Sequence, residues 1–72
     1  MRPLAIIPKS LNEEYRIDRQ QFRNGFVVGL RVFRTNEKGQ MRAGDEGVAI
    51  RMDHLPDIIR GLKAALLGAG NG

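Results

Sequence analysis

Two apolar runs meet at Asn24-Gly25, inside the stretch Gln21-Phe-Arg-Asn-Gly-Phe-Val-Val-Gly-Leu-Arg-Val-Phe-Arg34. That dipeptide between β-prone segments is the strongest short signal for a tight hairpin turn. It commits the middle of the chain to antiparallel strands. Tyr15 to Phe22 reads as the first of them. Tyr15 and Ile17 fall on one face, and Arg16, Asp18, Gln20 and Phe22 on the other, because side chains alternate along a strand. Phe26 to Arg34 reads as the second, with Val28 and Leu30 inward and Val27, Gly29 and Arg31 outward. Adjacent Val32 and Phe33 break the alternation, which predicts a bulge or strong twist nearby. Gly29 inside the strand marks a bend or the close approach of a ligand backbone.

Downstream, Thr35 to Gly39 reads as a turn and Gln40 to Arg42 as a short strand. A second turn is expected at Ala43 to Gly47, and a strand at Val48 to Arg51. Then the period changes. Leu55, Ile58, Ile59, Leu62 and Leu66 recur at helical spacing and predict an amphipathic helix. Asp53 suits the N-cap, Pro56 fits the first turn, and Gly68 suits the stop. The expected fold is α+β: a curved four-stranded antiparallel sheet followed by one C-terminal amphipathic helix. Residues 1–14 are expected as an extended arm, with Leu4, Ile6 and Ile7 able to add an edge strand. Residues 15–67 form the domain, and residues 68–72 a flexible tail.

A chain of 72 residues supports one domain with a marginal core. It has no cysteine and one histidine, so neither a disulfide nor a structural zinc can staple it. Oligomerisation is the remaining common solution. The apolar stripe exceeds what one small sheet needs, so a homodimer through Leu55, Ile59, Leu62 and Leu66 is expected.

The net charge of +4 is localised. Residues 15–51 hold eight bases against four acids, which equals the whole excess, while both flanks are balanced. Arginines and aromatics interleave there: Phe22, Arg23, Phe26, Arg31, Phe33 and Arg34. Cations beside exposed rings on an open sheet suit a single strand of nucleic acid, phosphates meeting the cations and bases stacking on the rings. The bland alternative is a solvated strand surface kept soluble by arginine.

Other chemistry finds no support. Gly39 to Gly47 lacks the Gly-Lys-Ser/Thr ending of a phosphate loop and opens no helix directly. His54 lacks partners for a metal and flanks the helix start. Ser10 and Thr35 have no neighbouring base, so no enzyme, no metal and no cofactor is expected. The apolar run near the N-terminus is too short for a signal peptide, and nothing approaches the ~18 apolar residues of a membrane span.

Order and motifs together resemble a known family. Gly39-Gln-Met-Arg-Ala-Gly-Asp-Glu-Gly-Val-Ala-Ile50 is similar to the Gly-x-Met/Leu-Lys-Pro-Gly-x-x-Gly-Ile-x-Leu run of the transcriptional coactivator positive cofactor four family. Phe22-Arg23 sits at that family's aromatic–basic pair, and Leu30-Arg31-Val32-Phe33 resembles its Ile-Arg-Glu-Tyr/Phe segment. The resemblance covers Tyr15 to about Leu62. It implies a homodimer whose helices pair across the two-fold axis, with single-stranded DNA running over the sheets. By position, Phe22 would stack on a base, and Arg23, Arg31 and Arg42 would contact phosphate or bases.

Four positions depart from the family pattern. Arg34 stands where the family often has tryptophan, and its guanidinium could still stack on a base. Asp45 and Glu46 replace bases and should repel phosphate. Ala43 replaces proline.

The nucleic-acid-binding set expected from residues and resemblance is Arg16, Gln20, Phe22, Arg23, Arg31, Arg34, Lys38 and Arg42. The expected function is binding of single-stranded DNA, with RNA as a second candidate, at weak sequence preference. Such a protein would serve transcription, replication or repair, alongside that machinery and away from membranes. Its location would be the cytoplasm, at the nucleoid, in a bacterial or phage setting, and the nucleus or an organelle in a eukaryotic one. The alternative is a dimeric protein-interaction module with incidental nucleic-acid binding, which Asp45 and Glu46 favour.

Overall fold

The structure, a computed structural model, describes residues 3–68. Four antiparallel strands lie side by side in chain order: β1 (Ala5–Ser10), β2 (Glu13–Phe22), β3 (Gly25–Thr35) and β4 (Met41–Arg51). A 3-10 turn, Met52–His54, leads into the helix α1, Leu55–Leu66. No described helix is long and apolar enough to cross a membrane. Met1 and Arg2 of the expected arm, and residues 69–72 of the expected tail, lie outside the described residues.

The arm is drawn into the sheet from Ala5 onward. Ala5 pairs with Ile17 and Ile7 with Tyr15, so β1 is an edge strand on β2. Pro8 is tolerated because an edge strand has one side free of partners, and the register shifts between Pro8 and Ser10. β2 starts at Glu13, two residues before the expected Tyr15, and pairs with β3 without interruption from Glu13–Arg34 to Phe22–Gly25.

The β2–β3 turn sits one residue earlier than expected. Phe22 and Gly25 close it, leaving Arg23 and Asn24 as the loop. Arg23 carries the positive φ of 55°, and it stands alone in this among described non-glycine residues. Positive φ at a loop residue is ordinarily taken by Gly, Asn or Asp, and here the register gives it to an arginine. At the β3–β4 turn, the Asn36 side-chain oxygen accepts from the backbone N–H of Lys38 (2.8 Å) and Gln40 (3.0 Å). Gly39 there takes a left-handed φ of 78°.

The two short strands and the turn expected over residues 40–51 are a single strand. β4 pairs with β3 on both sides of Gly44-Asp45-Glu46, with Ala43 opposite Phe33 and Gly47 opposite Arg31. The turn-like residues form a bulge opposite Val32, and the β2–β3 ladder passes undisturbed. Gly47 makes this possible. A Cβ there would lie 2.8 Å from the Leu30 carbonyl oxygen and 3.1 Å from the Arg31 Cα.

Alternation gives the sheet two unlike faces. Tyr15, Ile17, Val28, Leu30, Val32, Val48 and Ile50 share the apolar face, as their cross-strand pairing requires. Val32, at 8% exposure, is the one buried large apolar side chain among the described residues. The 3-10 turn lies against β3, whereas no residue of α1 is buried. Asp53 does not cap the helix. His54 occupies the N-cap without a side-chain hydrogen bond, and Asp53 accepts from Arg51 at 3.0 Å. Pro56 sits in the first turn, and Gly68, with φ 73°, follows the helix end as expected.

Candidate nucleic-acid interface

The second, open face follows from the same register. Along β2 it presents Glu14, Arg16, Asp18, Gln20 and Phe22. Opposite them β3 presents Phe33, Arg31, Gly29, Val27 and Gly25. β4 adds Gly47, Ala49 and Arg51 beside Arg31, Gly29 and Val27. Small residues therefore floor the middle of the face, while cations and rings stand toward its ends. A shallow groove of about 290 Å³ runs there, with Gly29, Gly47 and Ala49 below and Gln20 and Arg31 beside it.

Gly29 is needed for a reason within the sheet. The carboxylate of Asp18 folds over it, and a Cβ at Gly29 would lie 2.7 Å from Asp18 Oδ1. That oxygen is buried with no hydrogen-bond partner among the described residues. Asp18 thus stands between Arg16 and Gln20 on this face of β2.

The face carries two aromatic positions. Phe22 is more than half exposed at the hairpin end, and the Arg23 guanidinium lies 5.4 Å from its ring centroid. Phe33 is half-buried at the far end, with the Arg16 guanidinium 4.1 Å from its centroid. Arg16 also donates to Glu14. Phe33 and Arg51 are members of the face that the expected site set omitted. Alternation from Arg31 reaches Phe33, whereas Arg51 could be placed beside Val27 only once the register across the β4 bulge was known.

The expected bases do not share one face. Arg16, Gln20, Phe22 and Arg31 are brought together on the open face. Arg23 lies in the hairpin loop beside Phe22. Lys38 and Arg42 flank the β3–β4 turn at the opposite end of the sheet, and Arg42 pairs in register with Arg34. Arg34 stands apart. Its partner across β2 is Glu13, which places it on the apolar side of the alternation. It donates to Glu13 at 2.8 Å and to Glu46 at 2.7 Å. Glu46, expected to repel phosphate, is thereby paired with a cation. The Ser10 hydroxyl, then Arg34 and Lys9, hold the Glu13 carboxyl below its ordinary value, and Glu13 in turn raises Arg34. A depressed carboxylate stabilises the fold above its unfolded range and loses that effect as pH falls through its folded value. This corner of the sheet therefore weakens in acid, not in base.

No family model matches the chain, and no curated protein matches it. Among solved structures, two crystal forms of a PC4 homolog from Burkholderia pseudomallei are similar to it. The tetragonal form superimposes with a TM-score of 0.79 at 26% identity, covering 89% of this chain and 94% of that one. The orthorhombic form gives 0.77 at 27% identity, covering 99% and 92%. These likenesses, with the four-stranded antiparallel sheet and following helix, give the chain the PC4-like fold, that of positive cofactor four, over most of its length.

Proposed function

We propose that this protein is a homodimeric binder of single-stranded DNA that uses the open face of its sheet. The observation that carries the reading is that the strand register places Phe22, Arg16, Gln20 and Arg31 on one open face, where Gln20 and Arg31 border a groove lined by Gly29, Gly47 and Ala49 and also by Asp45 and Glu46. The mechanism has two parts. Arg31 and Arg23 attract the phosphate backbone, and the exposed Phe22 ring takes an unpaired base. Neither part requires recognition of particular base edges, so sequence preference is weak. A protein of this kind would coat or hold open melted DNA in transcription, replication or repair.

The dimer is supported by what the single chain leaves uncovered. Ile59, Leu62 and Leu66 of the helix and Leu67 at its C-cap are exposed, as are Ile7, Phe26 and Val48 of the apolar face. The radius of gyration is 14.3 Å, whereas a compact domain of this length has about 11 Å. A second copy packing helix on helix would cover the stripe.

Fluorescence anisotropy with labelled oligo-dT and a matched duplex tests the binding reading. Tighter binding to the single strand is expected, because a ring can stack only on an unpaired base. Equal or better affinity for the duplex would leave only a generic basic surface.

A further inference from the structure

The open face holds a second flat group, at the end remote from Phe22. The Arg16 guanidinium lies over the Phe33 ring, 4.1 Å from its centroid. Its Nε donates to the Glu14 carboxylate. Glu14 and Arg16 are alternate residues on β2, and Phe33 pairs with Glu14 across the ladder. One side of the guanidinium plane is therefore covered by a ring, and one edge is held by a carboxylate. The Arg16 side chain is 27% exposed, so the guanidinium is not closed over on the open face.

Two features separate this arginine from one that simply attracts phosphate. The Glu14 carboxylate offsets its charge, which weakens its pull on a phosphate without affecting its flat surface. Its orientation is also fixed before any ligand arrives, so binding requires little further ordering of a long side chain. Guanidinium planes take stacked nucleobases as aromatic rings do.

We propose that Arg16, backed by Phe33 and aligned by Glu14, is a second base-stacking platform that takes one unpaired nucleobase on its outer side. The proposal rests on the open face being the single-strand interface, and it adds what Arg16 contacts: a base, not a phosphate. Together with Phe22 it gives the open face a stacking surface toward each end of β2, with Arg31 directly across the ladder from Arg16.

The test is Arg16→Lys, which keeps the charge and removes the plane. Affinity is measured for oligo-dT across a salt series, with a thermal melt for each variant. A parallel series uses oligo-dT carrying one fluorescent purine analogue at successive positions. Arg16→Lys is expected to bind about tenfold more weakly with an unchanged salt slope. It should also lose the fluorescence change at one position while keeping the change that depends on Phe22. Phe33→Leu, which removes the backing ring, should lose the same position.

Wild-type affinity and signals in a folded Arg16→Lys protein would overturn the proposal. So would an Arg16→Ala protein whose salt slope falls by about one with Lys restoring it, since that marks a phosphate contact. Tighter binding by Arg16→Ala would make Phe33 the platform and Arg16 its cover, and would also overturn it. If Phe22→Ala weakens binding and Arg16→Lys does not, this proposal alone fails. If folded wild-type protein does not bind oligo-dT at all, the parent reading fails with it.

Discussion

Leu62→Glu is expected to dissociate the protein and unfold it in one transition. In the single chain Leu62 is 63% exposed and Leu66 83%, and no helix residue is buried. Were the chain a stable monomer, a charge at Leu62 would be a surface substitution worth no more than about 0.5 kcal/mol. The sheet, however, buries one apolar residue, Val32, among those described. In the proposed dimer, a 72-residue chain with so little interior draws its hydrophobic stabilisation from the second copy. Fold and assembly are then one equilibrium, and the melting temperature rises with protein concentration. Sedimentation equilibrium and circular dichroism on wild type and Leu62→Glu decide the matter. A folded wild-type monomer at micromolar concentration, or a folded Leu62→Glu protein, would contradict the dimer.

Gly47→Ala should be the most damaging methyl addition in the sheet. The new Cβ would lie 2.8 Å from the Leu30 carbonyl oxygen and 3.1 Å from the Arg31 Cα. Both are backbone atoms of β3, which is laddered on each side by β2 and β4. Neither can yield without breaking pairing. Overpacking and a φ of 159° unsuited to a side chain together cost about 3 kcal/mol. That lowers the melting temperature by on the order of 15 °C for a domain of this size. Because Arg31 and the groove floor rest on the same contact, affinity for oligo-dT should fall even where the protein remains folded. A melt within about 2 °C of wild type would show that the β4 bulge relaxes freely, contrary to this reading.

The faces of β2 and β3 were legible in the sequence because a period of two fixes them whatever the sheet packs against. The amphipathic helix was legible for the corresponding reason at period 3.6. What failed to show were features set by partners distant in the chain. Gly44-Asp45-Glu46-Gly47 has turn chemistry, and only pairing with β3 holds both flanks in one strand. Asn24-Gly25 marked the hairpin, but continuous β2–β3 pairing pulls Gly25 into the ladder and leaves Arg23 in the left-handed position. Pro3 and Pro8 argued for a loose arm, while an edge position removes most of the objection to Pro8.

At the site, Arg31 and Phe22 could be assigned to one face from alternation alone. Arg34 could not be excluded from it by composition. Its partners, Glu13 and Glu46, lie 21 and 12 residues away, and only the folded sheet brings them together. The stack of Arg16 on Phe33 is likewise a product of β2–β3 register, invisible until the ladder is drawn.

The central claim is that the open face binds a single strand by phosphate attraction and base stacking. The most direct measurement is a salt titration of oligo-dT affinity for wild type, Arg31→Ala and Phe22→Ala, each with a thermal melt. Arg31 points off the sheet and is exposed, so its loss should leave the fold intact and make the salt dependence shallower by about one counterion. Phe22→Ala should weaken binding by ~1–3 kcal/mol with the salt slope nearly unchanged. If both variants melt like wild type and also bind like it, the open face is not the DNA site, and a sheet that docks a protein partner becomes the leading account.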